Sequence, residues 1–271
     1  MSIDLFDRRA VLFLPASRPR AIEKARASAA DLVILDLEDA VKPEDKGAAR
    51  AAAVAAVAER WPMPVGIRVN ALGTRWHAED VAALCGSGAD FAVAPMVTFP
   101  AAVNTIRENS AKPVLAMIES AAGVLAAPAI ARDAAGLIVG TNDLAADLRL
   151  PPGVGRGPLQ FALQSILLAA RAAAIPAFDG VFNRLDDPEG LAAECAESRR
   201  LGFDGKTLIH PDQIAPCLAA FAPTAEEIAR AERLVAAASG GAERFEDAMI
   251  ETMHVEAAKR LLSRLPPSGG Q

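Results

Sequence analysis

The sequence predicts an α/β protein, a (β/α)8 TIM barrel followed by a C-terminal helical extension. Eight apolar runs of strand length each precede a helical stretch within about 220 residues, and this alternation is typical of a closed barrel. The runs are almost continuously apolar, as in parallel strands that are buried on both faces. No Gly-x-Gly-x-x-Gly motif follows the first run, which counts against an open dinucleotide-binding sheet.

Each predicted strand is a short run rich in Val, Ile, Leu, Phe or Ala. The eight runs span residues 11–15, 31–36, 66–70, 91–95, 113–119, 136–140, 175–180 and 203–209. The helices that follow them are expected over residues 20–30, from 43, 78–85, 101–109, 123–131, 159–173, 188–201 and from 211. The second helix opens on Pro43, Glu44 and Asp45, because proline suits a first helical turn and acids suit the positive end of the helix dipole. A short helix and a Gly/Pro loop over 151–158 separate the sixth strand from its long helix.

The chain beyond the barrel is predicted to be helical. A helix is expected over 224–238, then a Gly-Gly break, then a helical tail over 245–264. We therefore expect two parts, a catalytic barrel over 1–222 and a C-terminal helical extension over 223–271.

Composition excludes several classes of protein. The 271 residues carry 28 Lys+Arg against 34 Asp+Glu, a net charge of −6, which argues against a nucleic-acid partner. No run approaches 18 apolar residues, so we expect no membrane span. The N-terminal residues lack the layout of a secretory signal, and three scattered cysteines suit a reducing compartment, so we expect a cytoplasmic protein.

Ionisable side chains lie at the ends of five predicted strands. They are Asp36, Arg68, Glu119, Asp143 and Asp179. Active sites of such barrels lie at the carboxyl ends of the strands, so these groups are expected at one rim. Either Asp143 or Asp179 could instead cap the next helix.

Several carboxylates and one arginine at one rim suit a hard divalent cation together with an anionic ligand. Mg²⁺ prefers oxygen ligands and commonly takes only one or two protein carboxylates. The three histidines stand in no zinc-ligand spacing, so a zinc site is not expected.

Six sequence motifs identify a family. The runs LFLPASRPRAIEKA, DLVILDLEDAV, IRVNALGT, MIESAAGV, GTNDLAADL and GFDGKTLIHPDQI together resemble the citrate lyase β-subunit-like (CitE-like) branch of the HpcH/HpaI aldolase/citrate lyase superfamily. The resemblance implies a Mg²⁺-dependent barrel, with Mn²⁺ as an alternative, that makes or breaks a carbon–carbon bond between an acyl-CoA thioester and a small keto acid.

The resemblance also assigns roles to residues. It implies Glu119 and Asp143 as metal ligands and Arg68 as the contact to the substrate carboxylate and to the oxygen charge that develops, with Glu119 also at the substrate. Around this centre, a supporting role in holding metal-bound water or orienting the arginine is implied for Asp36, Glu38 and Asp39. A place near the CoA nucleotide is implied for Arg18, Arg20, Lys24 and His210.

The chain departs from the family pattern at two positions. Many relatives have Pro-Lys after the fourth strand, whereas here Met96 follows Pro95. Their acid–base residue lies in a C-terminal Met-Ile-Asp segment, which here ends in Glu251. In relatives this segment reaches a neighbouring subunit's active site, so the resemblance implies a homotrimer or a multiple of one.

The expected reaction is cleavage of a short, citramalyl-CoA-like 3-hydroxyacyl-CoA to acetyl-CoA and an α-keto acid such as pyruvate. Alternatives are the β subunit of citrate lyase, which needs an acyl-carrier partner, a malyl-CoA or 3-hydroxy-3-methylglutaryl-CoA lyase, and a CoA-free aldolase. A barrel that binds metal and ligand without turnover, or a purely structural subunit, also remains open.

Overall fold

The computed structural model describes residues 4–263 and Leu265. Within them the chain forms two compact units, the first ending at Phe221 and the second beginning at Ala222. None of the helices in these residues is both long and apolar enough to cross a bilayer.

The first unit is a closed barrel of parallel strands, in the order β1 to β8. These strands are β1 (Ala10–Pro15), β2 (Leu32–Asp36), β3 (Val65–Arg68), β4 (Phe91–Ala94), β5 (Val114–Ile118), β6 (Gly136–Val139), β7 (Ala177–Asp179) and β8 (Gly205–Leu208). Val11 pairs with Leu32 of the second strand and with Thr207 of the eighth, which closes the sheet. The predicted (β/α)8 barrel is therefore confirmed.

Helices follow the strands in the predicted alternation. They are α1 (Pro19–Arg26), α2 (Lys46–Val57), α3 (His77–Leu84), α4 (Pro100–Ser110), α5 (Ala121–Ala131), α6 (Thr141–Asp147), α7 (Gln160–Ala172), α8 (Pro188–Leu201) and α9 (Ile214–Phe221). The predicted Pro43 start proves to be a 3-10 turn, Pro43–Asp45, that leads into α2. Strand β3 ends at Arg68 itself, not two residues later as expected.

Two buried layers hold the barrel together. Side chains such as Phe13, Phe91, Met117 and Phe178 fill its interior. A larger cluster of Ala, Val, Leu and Ile side chains packs between the strands and the helices. The strands are therefore buried on both faces, which explains why their sequences show no polar alternation.

The second unit corrects one prediction. It contains α10 (Ala225–Ala237), a hairpin of β9 (Glu243–Phe245) and β10 (Ala248–Ile250), and α11 (Thr252–Ser263). The helical tail expected from residue 245 was wrong at its start, because residues 245–250 belong to the hairpin. Glu246 adopts a positive φ of 52° in the two-residue turn, and Phe245 and Ile250 bury their side chains against α10 and α11 residues. Residue 264, the end of the expected tail, lies outside the described residues.

Candidate active site

A cavity of about 400 Å³ opens at the carboxyl ends of the strands. Its lining includes the ionisable side chains of Arg18, Asp36, Asp39, Arg68, Glu119 and Asp143. Phe13 and Met117 form apolar wall beside Arg68, whose guanidinium carbon lies 5.2 Å from the centre of the Phe13 ring. The cavity thus has charged side chains at its rim and an apolar wall, as small-molecule sites do.

Arg68 is held in a fixed orientation by acidic partners. Its Nε and Nη2 donate to the two carboxylate oxygens of Asp36 at 2.6 and 2.7 Å, in the two-pronged geometry that suits guanidinium. Its Nη1 lies 2.8 Å from Glu38 Oε2 and 3.4 Å from Asp39 Oδ2. Burial would lower the pKa of Arg68, but Asp36 and the other acids raise it above its usual value, so the cation is permanent.

The loop that follows β2 is folded around Asp36. The buried Asp36 carboxylate accepts the N–H groups of Glu38 and Ala40 at 2.8 and 3.1 Å. Burial raises the pKa of Glu38 to about 8, although Arg68 opposes that shift. The predicted supporting group of Asp36, Glu38 and Asp39 is therefore brought together around Arg68.

Glu119 and Asp143 form the carboxylate pair of the cavity. Glu119 directly follows β5, is 2% exposed and accepts the Met96 N–H at 2.6 Å. Burial raises the pKa of Glu119 to about 7, and burial together with Asp39 raises that of Asp143, the neighbouring carboxylate of the cavity. Two neighbouring carboxylates that resist ionising side by side are matched to a cation, whose charge would stabilise their ionised forms.

The local sequence explains how these two acids meet. Ser120 caps α5 by accepting the Gly123 N–H at 3.1 Å, so the chain leaves the strand at Glu119. Gly140 directly follows β6, and a Cβ there would lie 2.3 Å from the Cβ of Glu119. Asp143 lies in the first turn of α6 and is not the cap of that helix. Among the described residues no group of three or more Asp, Glu, His or Cys lies together as a metal site.

Asp179 lies outside this cavity, contrary to expectation. Its fully buried carboxylate accepts Lys206 Nζ at 2.9 Å and both Arg156 Nη atoms at 2.7 and 2.9 Å, and Ser198 also donates to it. Burial would raise the pKa of Asp179, but Lys206 and Arg156 lower it to about 2. It is no helix cap either, because Asp187 caps α8. This network attaches the end of the Gly/Pro loop to β7 and α8.

The predicted CoA residues line a second cavity of about 930 Å³. Arg18, Arg20, Lys24 and His210 border it, and Arg18 lines the first cavity as well. His210 Nδ1 accepts the Asp212 N–H at 3.2 Å, which starts the turn before α9. Three cations beside an apolar wall suit a large anionic ligand.

Glu251 belongs to the second unit. It is exposed, stands between β10 and α11, and its N–H donates to His254 Nδ1 at 3.0 Å. Met249 and Met253, on either side of it, are 71% and 63% exposed. The structure therefore brings Arg68, Glu119 and Asp143 together, with Glu251 in the other unit.

Sequence reasoning missed the residues that support the site from behind. Lys46 and Asn70 fix the loops after β2 and β3, Gly140 makes room for Glu119, and the Met96 N–H binds it. Lys46, which follows Pro-Glu-Asp at the start of a helix, cannot be told from a solvated helix residue in the sequence. Only Gly140, directly between a predicted strand and Thr-Asn-Asp, could have been recognised as part of the site from its local sequence.

Comparisons with known proteins agree with this geometry. The family model described as HpcH/HpaI aldolase/citrate lyase matches residues 9–211, and a model described as C-C bond lyase of the TIM-barrel fold matches residues 164–266. A (3S)-malyl-CoA thioesterase of Cereibacter sphaeroides is 39% identical over 267 residues, which cover 94% of each chain. The citrate lyase subunit beta of Escherichia coli is 32% identical, covering 97% of this chain and 94% of its own.

A solved structure is similar over almost the whole chain. The CitE protein of Mycobacterium tuberculosis, in complex with magnesium, acetoacetate and coenzyme A, aligns with a TM-score of 0.85 at 35% identity. The alignment covers 96% of this chain and 99% of that one. Other crystals of the same protein contain magnesium with pyruvate or oxaloacetate.

Proposed function

The chain belongs to the HpcH/HpaI aldolase/citrate lyase family, and from that premise we propose that it cleaves a short 3-hydroxyacyl-CoA, of the citramalyl-CoA type, to acetyl-CoA and an α-keto acid such as pyruvate. It is a Mg²⁺-dependent, CoA-utilising lyase, as members of this family are. The observation that carries the narrower proposal is the Glu119–Asp143 pair beside the fixed guanidinium of Arg68, in a cavity that shares Arg18 with a larger cationic groove.

Glu119 and Asp143 are proposed to hold the metal. Their carboxylate oxygens, their place in one cavity and their raised pKa values fit a divalent cation of the Mg²⁺ type. Bound there, Mg²⁺ supplies a Lewis acid and a template for the hydroxyl and carboxylate oxygens of the substrate.

The substrate in this proposal carries a carboxylate on the carbon that bears its hydroxyl group. A carboxylate of the protein takes the hydroxyl proton, the bond between that carbon and the thioester α-carbon breaks, and its electron pair becomes the enolate of acetyl-CoA. Arg68 stabilises the negative charge that grows on oxygen, a contribution of about 3 kcal/mol for one well-aimed donor. Asp36 and Glu38 keep its guanidinium from turning away.

The enolate must then receive a proton on its methylene carbon. We assign this transfer to Glu251, with the Asp36, Glu38 and Asp39 group as the alternative. We further propose that the C-terminal extension, residues 223–271, packs on a neighbouring subunit and places Glu251 at that subunit's cavity, in a homotrimer or a multiple of one. The exposed side chains of Met249 and Met253, on either side of Glu251, support this packing.

The CoA moiety is assigned to the larger cavity. Its border of Arg18, Arg20, Lys24 and His210 carries three cations, which suit the nucleotide phosphates, and its apolar wall suits the pantetheine chain. If an acyl-carrier protein carried the thioester in place of CoA, the chemistry at the thioester would be the same. The carrier protein would then bind this chain outside the larger cavity.

A second candidate reaction is thioester hydrolysis. It is favoured by the 39% identity to a protein named (3S)-malyl-CoA thioesterase. In this reaction water attacks the thioester carbonyl, and the products are malate and the free CoA thiol. Malyl-CoA carries the same carboxylate beside its hydroxyl group, so the same cavity would receive it.

One experiment separates these reactions. The protein is incubated with Mg²⁺ and, in turn, citramalyl-CoA, malyl-CoA, 3-hydroxy-3-methylglutaryl-CoA and citrate, and both keto-acid release and free-thiol release are followed. Keto acid without thiol supports the lyase, and thiol without keto acid supports the hydrolase. Neither product from any of these substrates, with Mg²⁺ bound, would contradict the proposal and favour a non-catalytic binding barrel.

A further inference from the structure

Lys46 is a buried cation that the mechanism above leaves without a role. It is the first residue of α2 and only 6% of its surface is exposed. Its Nζ donates to the backbone oxygens of Leu37 and Glu38, both at 2.8 Å, and to Asn70 Oδ1 at 2.5 Å. These three acceptors use all three donors of the ammonium group, and each is an uncharged carbonyl oxygen.

The three acceptors belong to two loops on either side of Arg68. Leu37 and Glu38 lie in the loop after β2, and Asn70 comes two residues after Arg68 at the end of β3. Burying a cation costs free energy unless the cation is fully hydrogen-bonded. Lys46 is bonded to both loops, so we infer that it stabilises their positions. Lys46 thereby joins the segment that carries Glu38 to the segment that carries Arg68.

Asn70 extends the same bonding network toward α3. Its Nδ2 donates to Asp80 Oδ2 at 2.6 Å, and its own N–H donates to the same oxygen at 2.9 Å. Arg50 of α2 donates to the other oxygen of Asp80 at 2.7 Å. Asn70 is therefore fixed by its neighbours, so the acceptor that it presents to Lys46 does not depend on the lysine.

The loop after β2 depends on Lys46 more directly. The N–H groups of Glu38 and Ala40 point inward to Asp36, while the Leu37 and Glu38 carbonyls point to Lys46. The backbone N–H groups of this loop thus bind the Asp36 carboxylate, and its backbone carbonyls bind the Lys46 ammonium group. Loss of the cation removes the side-chain donor to the Leu37 carbonyl, whereas the Glu38 carbonyl still accepts the Val41 N–H at 2.9 Å, so we expect the loop to shift at Leu37 to reach water.

We propose that Lys46 is a positioning residue for the lyase site: it fixes the loop that carries Glu38 and so sets the orientation of Arg68 toward the bound keto acid. The inference rests on the proposed function for its consequence on ligand binding. Its structural part concerns only the loop. Lys46 touches neither metal nor substrate in this proposal and acts through Glu38 and Arg68.

The test compares Lys46→Met with the wild type and with Lys112→Met. Lys112 is a matched control, because its Nζ also donates to one backbone oxygen, that of Ser87, at 2.8 Å, and it does not line the cavity. Two quantities are measured: amide hydrogen exchange over residues 36–41, and the affinity for pyruvate in the presence of Mg²⁺ by calorimetry. Thermal unfolding of each variant records whether the fold is retained.

In Lys46→Met we expect exchange of the Glu38 and Ala40 amides to accelerate about tenfold or more, and pyruvate affinity to fall about 10- to 100-fold, as for other residues that orient a site from behind. Lys112→Met should change neither. The CoA affinity of Lys46→Met should also equal that of the wild type, which a general loss of structure would not allow.

Unchanged exchange and unchanged pyruvate affinity in a folded Lys46→Met would overturn the proposal. If Lys46→Met does not fold, Lys46→Gln takes its place, since its amide keeps a donor for one of the carbonyls, and a smaller loss of the same two quantities is expected. A wild type that binds no pyruvate with Mg²⁺ would contradict the proposed function, while the exchange comparison would still decide the role of Lys46 in the loop.

Discussion

Gly140 gives a direct way to disturb the proposed metal site without altering a charged group. A Cβ at this position would lie 2.3 Å from both Cβ and Oε2 of Glu119. Carbon atoms normally approach each other to about 3.5–4.0 Å, so Gly140→Ala forces a separation of more than about 1 Å. Rotation of the carboxylate cannot relieve a clash with its own Cβ, so the backbone around Glu119 or Gly140 must also move.

The size of the effect follows from this displacement. A shift of about 1 Å in a group at a reacting centre commonly costs about 100-fold in rate, and we expect that loss in Gly140→Ala, with weaker Mg²⁺ binding. The backbone itself accepts alanine, because φ at Gly140 is −96°. Calorimetric titration with Mg²⁺ and the keto-acid release assay measure the two effects.

Gly47→Ala is the matched control. Nothing lies within 4 Å of a Cβ at Gly47, which is inside α2, and replacing a helical glycine there should stabilise the fold by about 0.5–1 kcal/mol with normal turnover. Wild-type Mg²⁺ affinity and turnover in Gly140→Ala would refute the reasoning. They would show that Glu119 is not confined by the end of β6.

Three further predictions concern the acids. Glu119→Gln and Asp143→Asn should each abolish Mg²⁺ binding and lyase turnover while keeping the thermal unfolding of the wild type within a few degrees; full activity of either in EDTA would remove both from the metal site. Glu251→Gln should retain Mg²⁺ and pyruvate binding yet lose exchange of the acetyl-CoA methyl protons with solvent, and wild-type exchange would exclude its acid–base role. The pKa of Asp179 is lowered to about 2 from 3.8, so its ionised form stabilises the fold fully above pH 4, and that stability is lost as the pH falls toward 2. Urea unfolding should show the difference in stability between the wild type and Asp179→Asn shrinking by about 2 kcal/mol between pH 5 and pH 2, and a constant difference would contradict the shift.

The barrel follows from the sequence because its signals are local. A strand that is buried on both faces must be apolar along its length, and the helix that follows it begins within a few residues. Runs such as 31–36 and 113–119 can therefore be recognised as strands from the sequence. The same regularity places Glu119 and Asp143 at one rim, since all parallel strands of a barrel end at the same side. The hairpin at residues 243–250 escaped this reasoning because its strands have only three residues each.

What holds the site in place was decided only by the tertiary structure. Asp36 and Arg68 are 32 residues apart, and Lys46 and Asn70 are 24 apart, so no local pattern joins either pair. Asp179 ends β7 and Glu119 directly follows β5, yet Asp179 faces buried cations behind the sheet and Glu119 faces the cavity. The side of the sheet on which a strand's last side chain falls depends on the register of its neighbours, and a shift of one residue reverses it. The sequence by itself thus determined the barrel and the residues available at its rim, whereas packing between distant segments decided which of them share a site.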